Sequence, residues 1–390
     1  MISRGSTKHW RRAAGAVAAL AFIAGACSSD DDDAADDTTA ESEDSTAATT
    51  DDTTGDTTAD SGTTEGTTAD TVEVTQGGST LDAVRERGTV RCGSNDSLPG
   101  FGVVDSAGEY SGFDVDYCRV VAAGVLGDAE AVEYVPLTSE QRFTALQAGE
   151  IDVLIRNTTA TATRDGSESS TFLFTTFYDG QGVMVPASTG YTTLEDLADA
   201  SICVLSGTTT ELNLNAVFTA RGIPFNPVVF EDDLQLRPAY EVGQCEAWTT
   251  DASALGSWKF TLEAEGAEEQ LIMGEIISKE PLGPTVLDGD SAWAQAVEWS
   301  VMATVQAWEF GLDSTNIESY DGDDPNILNF LGADGFDPGL GLSPTFAIDV
   351  VSQVGNYEEI YNSHEELAPL DGSVNDLWSN GGLMYVPPYR

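Results

Sequence analysis

The stretch Gln147–Arg164 reads Q-A-G-E-I-D-V-L-I-R-N-T-T-A-T-A-T-R. Ile151, Val153, Leu154 and Ile155 follow a Gly-Glu turn and read as a short buried strand. Asn157, Thr158, Thr159, Thr161 and Thr163 then crowd small polar groups ahead of Arg164. A strand that ends in hydroxyls, an amide and a guanidinium suits the mouth of a site for a small anionic group. The guanidinium supplies a planar fork of donors that matches a carboxylate. A Thr-rich loop with a surface arginine is the plainer reading of the same residues.

Strand and helix patterns alternate outward from this stretch. Upstream, Leu81–Arg87 reads as a helix, Thr89–Cys92 as a strand and Asn95–Phe101 as a loop with exposed apolar groups. A helix from Val115 to about Gly124, the strand Val132–Val135 and a helix capped by Ser139 follow. Downstream, Phe172–Pro186 is an apolar run broken by Gly180 and Gly182, which suits a strand leaving a first unit. A second unit reads as a helix from Leu194, the strand Ser201–Leu205, a turn opening a helix at Leu212, the strand Val228–Phe230, the helix Leu234–Val242 and the strand Ala247–Thr250. From Ile272 another extended run, broken by Pro281, Gly283 and Pro284, suits a second crossover. Ala292–Phe310 is a long helix whose Trp293, Trp299 and Trp308 form a packed face, and Phe346–Val354 is helical before the extended tail Gly381–Arg390. The alternation predicts α/β units with largely parallel sheets, which bind ligands outside the carboxyl ends of their strands. Gly207, Thr208 and Thr209 precede a helix, so they are either an anion site or plain capping. Asp251 ends a strand, so it is either a helix cap or the partner of an ammonium group.

The termini, charge and cysteines narrow the function. Arg4, Lys8, Arg11 and Arg12 precede an apolar run too short to span a bilayer, ending at Cys27. Ala24-Gly25-Ala26-Cys27 resembles a lipoprotein cleavage site, which implies an acylated Cys27; ordinary secretion is the alternative. Ser28–Gly78 holds 16 acids, no Lys or Arg and no apolar period, so it is expected to be a disordered, extended tether. The formal net charge is −50; residues 1–27 contribute +4 and the tether −16, which leaves −38 on residues 79–390. So acidic a body argues against a nucleic-acid partner. About 310 residues suit two lobes better than one. Cys92, Cys118, Cys203 and Cys245 allow three pairings; Cys92–Cys118 with Cys203–Cys245 keeps each bridge inside one folding unit, and free buried thiols are the alternative. Two histidines, His9 and His364, argue against a Ser/His triad or a His-ligated metal, and no metal-ligand spacing is present.

An ordered set of motifs carries a resemblance across about Leu81–Arg390. They are Ser111-Gly112-Phe113-Asp114-Val115-Asp116, Arg142-Phe143-Thr144-Ala145-Leu146-Gln147, Arg156-Asn157-Thr158-Thr159, Tyr178-Asp179-Gly180-Gln181-Gly182, Gly207-Thr208-Thr209-Thr210-Glu211, Thr249-Thr250-Asp251 and Ser278-Lys279-Glu280-Pro281-Leu282-Gly283-Pro284. Together they resemble the amino-acid substrate-binding proteins of bacterial ABC importers, solute-binding protein family 3, in the general L-amino-acid-binding subfamily. The resemblance implies an α/β, two-lobed, type II periplasmic-binding-protein fold with two crossover strands. Residues 1–26 would be the signal peptide, 27–78 the lipidated tether, 79–182 and 282–390 one lobe, and 183–281 the other. It implies that Arg164 grips an α-carboxylate, that Thr209 and Thr208 complete that grip from the second lobe, and that Asp251 takes an α-ammonium with Thr159 and Asn157. Leu98 and Phe101 would be apolar walls, and Arg142 would lie near the ligand's side-chain end. Ala160 replaces a larger side chain common in that subfamily and leaves a roomier pocket.

The implied function is a monomeric, membrane-anchored, extracytoplasmic receptor for L-amino acids, polar or acidic ones foremost, that delivers them to an ABC permease without cofactor or catalysis. A cyclohexadienyl or arogenate dehydratase-like enzyme shares the fold, but the clamp offers no histidine and no evident acid–base pair. An extracellular amino-acid sensor would need a separate signalling partner. One prediction follows from charge alone. Salt screens self-repulsion, so the melting temperature should rise from low to molar salt in a thermal unfolding series; a melting temperature indifferent to salt contradicts it.

Overall fold

The computed structural model describes residues 79–389, and the expectations for the signal segment, Cys27 and the tether lie outside them. Two five-stranded mixed sheets carry the architecture. The first runs in the order Val132–Pro136, Val90–Ser94, Val153–Leu154, Thr285–Leu287, Ser170–Phe172. Its first three strands are parallel and Thr285–Leu287 is antiparallel to its neighbours. The second repeats the plan: Asn226–Phe230, Ser201–Leu205 and Ala247–Asp251 are parallel, Gln181–Pro186 is antiparallel to Ala247–Asp251, and Gln270–Ile272 lies outermost. Parallel strands covered on both faces need continuous apolar runs, and Ile202, Cys203 and Val204 are fully buried.

Two short strands carry the chain between the sheets. Phe177–Asp179 pairs antiparallel with Glu280–Leu282, placing Asp179 opposite Glu280. Gly180 follows at a point of close approach: a Cβ there would sit 2.3 Å from Ile276 Cγ2 and 2.8 Å from the Ser278 carbonyl oxygen. The helices Phe113–Leu126, Ser291–Glu309 and Phe346–Gln353 contribute Val120, Val121, Val297, Val301, Val350 and Val351 to the core. Trp293 is buried on this layer, and its indole N–H donates to the Asp152 carbonyl at 2.8 Å.

Several expectations shift. The helix Thr209–Arg221 begins before Leu212, because the Thr208 hydroxyl accepts the Glu211 N–H at 3.0 Å and caps it. Leu194–Leu197 is a single 3-10 turn. Ser139 does not cap the helix Gln141–Gln147; its hydroxyl accepts from Arg156 Nη1 at 3.1 Å. The apolar groups of Asn95–Phe101 are not exposed. Leu98 is 3% accessible and Phe101 1%, because Phe101 packs edge-on against Phe113 and Phe177 at centroid distances of 6.2 and 5.3 Å.

The disulfides are Cys92–Cys118 and Cys203–Cys245, with Cα separations of 6.0 and 5.6 Å. Each stays within one sheet and its flanking elements, as the pairing argument anticipates. Closing a loop of 42 residues removes unfolded-chain entropy worth about 4 kcal/mol. Replacing Cys203 and Cys245 together by alanine should lower the unfolding free energy by about 2–4 kcal/mol in urea titration; an unchanged midpoint contradicts the assignment.

Candidate functional site

Three parallel strands in each sheet point their carboxyl ends at one small cavity. From the first sheet, Val90–Ser94 leads to Asn95 and Leu98, Val132–Pro136 to Ser139 and Arg142, and Val153–Leu154 to Arg156, Asn157 and Thr159. From the second, Ser201–Leu205 leads to Thr208, Thr209 and Thr210, Asn226–Phe230 to Asp233, and Ala247–Asp251 ends at Thr250 and Asp251. Strand ends leave backbone donors unpaired, and these side chains decide what such a site accepts.

Asn157 is the junction. Its backbone is left-handed, with φ of 30°, a conformation that asparagine tolerates better than most residues. Asp114 holds it there by accepting its N–H at 2.6 Å, while Asn95 Nδ2 donates to its side-chain carbonyl at 2.9 Å. That fixes the amide so that Nδ2 donates across the cavity to Asp251 at 3.1 Å. Thr159 and Thr209 meet hydroxyl to hydroxyl at 3.4 Å. Arg164 follows Thr161, whose hydroxyl accepts the Arg164 N–H at 3.1 Å. Its guanidinium donates to the Thr159 carbonyl at 3.0 Å, reaches the Gly207 carbonyl at 3.5 Å and lies 5.3 Å from the Phe143 ring centroid.

The fold therefore gathers Asn157, Thr159, Thr208, Thr209, Asp251, Leu98 and Arg142 on the cavity wall. Arg164 borders an adjoining recess with Phe143, Gly207, Thr208 and Thr209. Phe101 belongs to the aromatic core instead of the wall. The Thr208 hydroxyl is spent on capping, since it also donates to the Leu205 carbonyl at 2.7 Å. Ala160 opens onto a groove beside Tyr178, Lys279 and Pro281, outside the cavity. His364 pairs with Asp116 at 2.9 Å, a structural contact.

Charge is concentrated and buried here. Burial, then Asp179 and Glu280, raise the Asp251 carboxyl well above the usual carboxylate range, against the pull of Asn157 and Arg142. Burial pushes Asp179 up to about 6, although it accepts from Ser253 and Gly180. Burial also pushes Asp114 and Asp233 up to about 7, opposed by Arg156 in both cases. The Arg142 guanidinium is driven well below the usual arginine range by burial and by Arg164 and Arg156. Glu280 receives Thr209 Oγ1 and Asn213 Nδ2, each at 2.8 Å. Among the described residues no group of His, Cys, Asp and Glu side chains is placed to hold a metal ion.

Sequence reasoning missed Asp233, Arg156, Glu280 and Asp114. Asp233 follows the carboxyl end of a strand, the same positional signal as Asp251, but the run Glu231-Asp232-Asp233 hides it, and Asp232 is the residue that caps the next helix. Arg156 stands in the organising stretch without showing which way it turns.

Residues 90–332 match the bacterial extracellular solute-binding proteins, family 3. The chain is 44% identical over 321 residues to the general L-amino acid-binding periplasmic protein AapJ of Rhizobium johnstonii, covering 80% of this chain and 93% of that protein. It is 45% identical over 319 residues to the glutamate/glutamine/aspartate/asparagine-binding protein BztA of Rhodobacter capsulatus, covering 80% and 94%. Among solved structures, an ABC transporter periplasmic binding protein from Brucella ovis with glutathione bound is similar with a TM-score of 0.75 and 42% identity, covering 80% of this chain and 99% of that one.

The raised acids predict the pH dependence of stability. Between the ordinary carboxylate value near 4 and the raised values of about 6 to 7, the folded chain holds protons that the unfolded chain has lost. The unfolding free energy should therefore fall as pH rises through that window. Asp114→Asn keeps the acceptor for the Asn157 N–H and removes one titrating group, so its profile should be shallower in urea titrations from pH 4 to 8. An identical slope in this variant contradicts the assignment.

Proposed function

This chain belongs to the bacterial extracellular solute-binding proteins of family 3, and from that premise we propose that it is a receptor that binds L-amino acids between its two sheets and delivers them to an ABC permease. One observation carries the reading: a cavity at the strand ends of both sheets presents a buried acid, Asp251, from one sheet and the buried Arg142 and Arg156 from the other, with Arg164 bordering the adjoining recess. A zwitterion needs that combination, because each of its charges loses hydration on entry and must regain a partner. The named ligands of the relatives support it, and the γ-glutamyl end of glutathione carries the same α-ammonium and α-carboxylate.

In this reading Asp251 takes the α-ammonium with Thr159 and Asn157. Arg164 grips the α-carboxylate, together with the free N–H groups that begin the helix Thr209–Arg221. Leu98 lies along the ligand's aliphatic stem. Residues 79–182 and 282–390 form one lobe and 183–281 the other, hinged at the strands Phe177–Asp179 and Glu280–Leu282. Contacts drawn from both lobes favour closure, because a ligand shifts an equilibrium only through contacts made better in one state. Acylation of Cys27, the tether and a monomeric state complete the proposal: the receptor is held on the outer face of the cell membrane beside its permease. No observation favours a catalytic or sensory role.

Calorimetric titration of residues 79–390 against the twenty L-amino acids tests this. Arg164→Ala and Asp251→Ala should each cost about 2–5 kcal/mol, because a buried charge loses its partner. Binding that survives both substitutions contradicts the clamp, and no binding by the unmodified protein contradicts the receptor.

A further inference from the structure

The cavity holds more charge than an α-amino acid head group uses. Arg142 is 3% accessible and Arg156 5%, and among the described residues neither makes an ion pair with a carboxylate. Arg142 Nε has no hydrogen-bond partner, and its Nη1 has only a long contact of 3.5 Å to the Thr158 hydroxyl. Arg156 is braced by the Leu137 carbonyl at 2.6 Å and the Ser139 hydroxyl at 3.1 Å, which fixes its fork at the cavity wall. Asp233 lines the same cavity from the second sheet at 6% accessibility, and it is not the cap of its own helix. Two buried guanidiniums on one wall and one buried carboxyl on the other is an arrangement that a ligand must complete.

We propose that Arg142, Arg156 and Asp233 form a side-chain subsite that accepts either a carboxamide or a carboxylate, and that the proton on Asp233 decides which. The inference rests on the receptor reading above. A glutamine side chain fits when Asp233 is ionised: its carbonyl accepts from the arginines and its NH2 donates to the Asp233 carboxylate. A glutamate side chain offers acceptors alone. It meets a donor at Asp233 only when that carboxyl is protonated, and it is repelled otherwise. Glutamate binding therefore takes up one proton at this subsite that glutamine binding does not.

The surroundings of Asp233 allow both states near neutrality. Burial raises its pKa to about 7, Asp232 on its own element and Asp96 from the facing loop push the same way, and Arg156 and the Trp258 indole N–H oppose them. Around Arg142 stand Arg164, Arg156, Asp251 and Glu280. Asp251 and Asp179, the other raised acids of the second wall, would face the α-ammonium, a group common to both ligands. Their effect cancels in the ratio of the two affinities, which isolates the distal end.

The experiment is calorimetric titration of the full-length protein with L-glutamate and L-glutamine from pH 5.5 to 8.5. The ratio of the glutamate Kd to the glutamine Kd should rise with pH, approaching about tenfold per unit above the Asp233 titration. In Asp233→Asn, which offers a donor and an acceptor at every pH, both ligands should bind with a constant ratio. A flat ratio in the unmodified protein overturns the subsite and leaves the receptor reading intact, and this arm needs no variant to fold. A ratio that rises equally in Asp233→Asn also overturns it. Failure of both ligands to bind at any pH overturns this inference and the polar-ligand reading together.

Discussion

A buried charge has to be answered by an opposite charge or by several donors, and this protein buries its charges where two sheets meet. Asp251 is 4% accessible and receives one hydrogen bond from across the cavity, from Asn157 at 3.1 Å. Asp179 and Glu280 stand near enough to raise its pKa further. Arg142, Arg156 and Arg164 come from the first lobe's strand ends and loops, and among the described residues none of them makes an ion pair with a carboxylate, although acids lie nearby. Leaving such groups incompletely paired costs several kcal/mol each. An ammonium beside Asp251 and a carboxylate beside the arginines would relieve both walls at once, so closure of the lobes and binding are one event in the proposed function.

In the proposed function the crossover strands would make that coupling mechanical. Asp179 and Glu280 lie opposite each other on the paired strands. Asp179 accepts from Ser253 at the start of the helix that follows Asp251, and Glu280 accepts from Thr209 and Asn213 of the helix that begins at Thr209. Both helices that border the second wall are therefore tied to the strands about which the lobes would move. Gly180 permits the close approach of Ile276 that this junction requires.

The architecture was legible because strands buried on both faces appear as short apolar runs, and because the helices between them announce themselves by period and punctuation. The tendency of such sheets to bind ligands at strand ends, together with the family resemblance, made Asn157, Thr159, Thr209 and Asp251 readable as wall residues. Phe101 was misread, since a loop residue's fate depends on Phe113 and Phe177, which reach it only in the folded chain. Ser139 looked like a cap because a hydroxyl before a helix usually is one; here Arg156 claims it. Asp233 was hidden in an acidic run whose members differ only in the direction each side chain takes.

The sequence alone determined the α/β alternation, the two crossovers and the four cysteines available for bridges, all of which rest on local pattern or residue count. Tertiary structure alone decided which charges share the cavity. Arg156 turns inward because Leu137 and Ser139 hold it, Thr208 spends its hydroxyl on a helix end, and Asp233 faces arginines brought from far along the chain. The reason is physical: periodicity fixes elements through interactions a few residues long, whereas the electrostatics of a cavity are set by groups that become neighbours only when the two sheets meet.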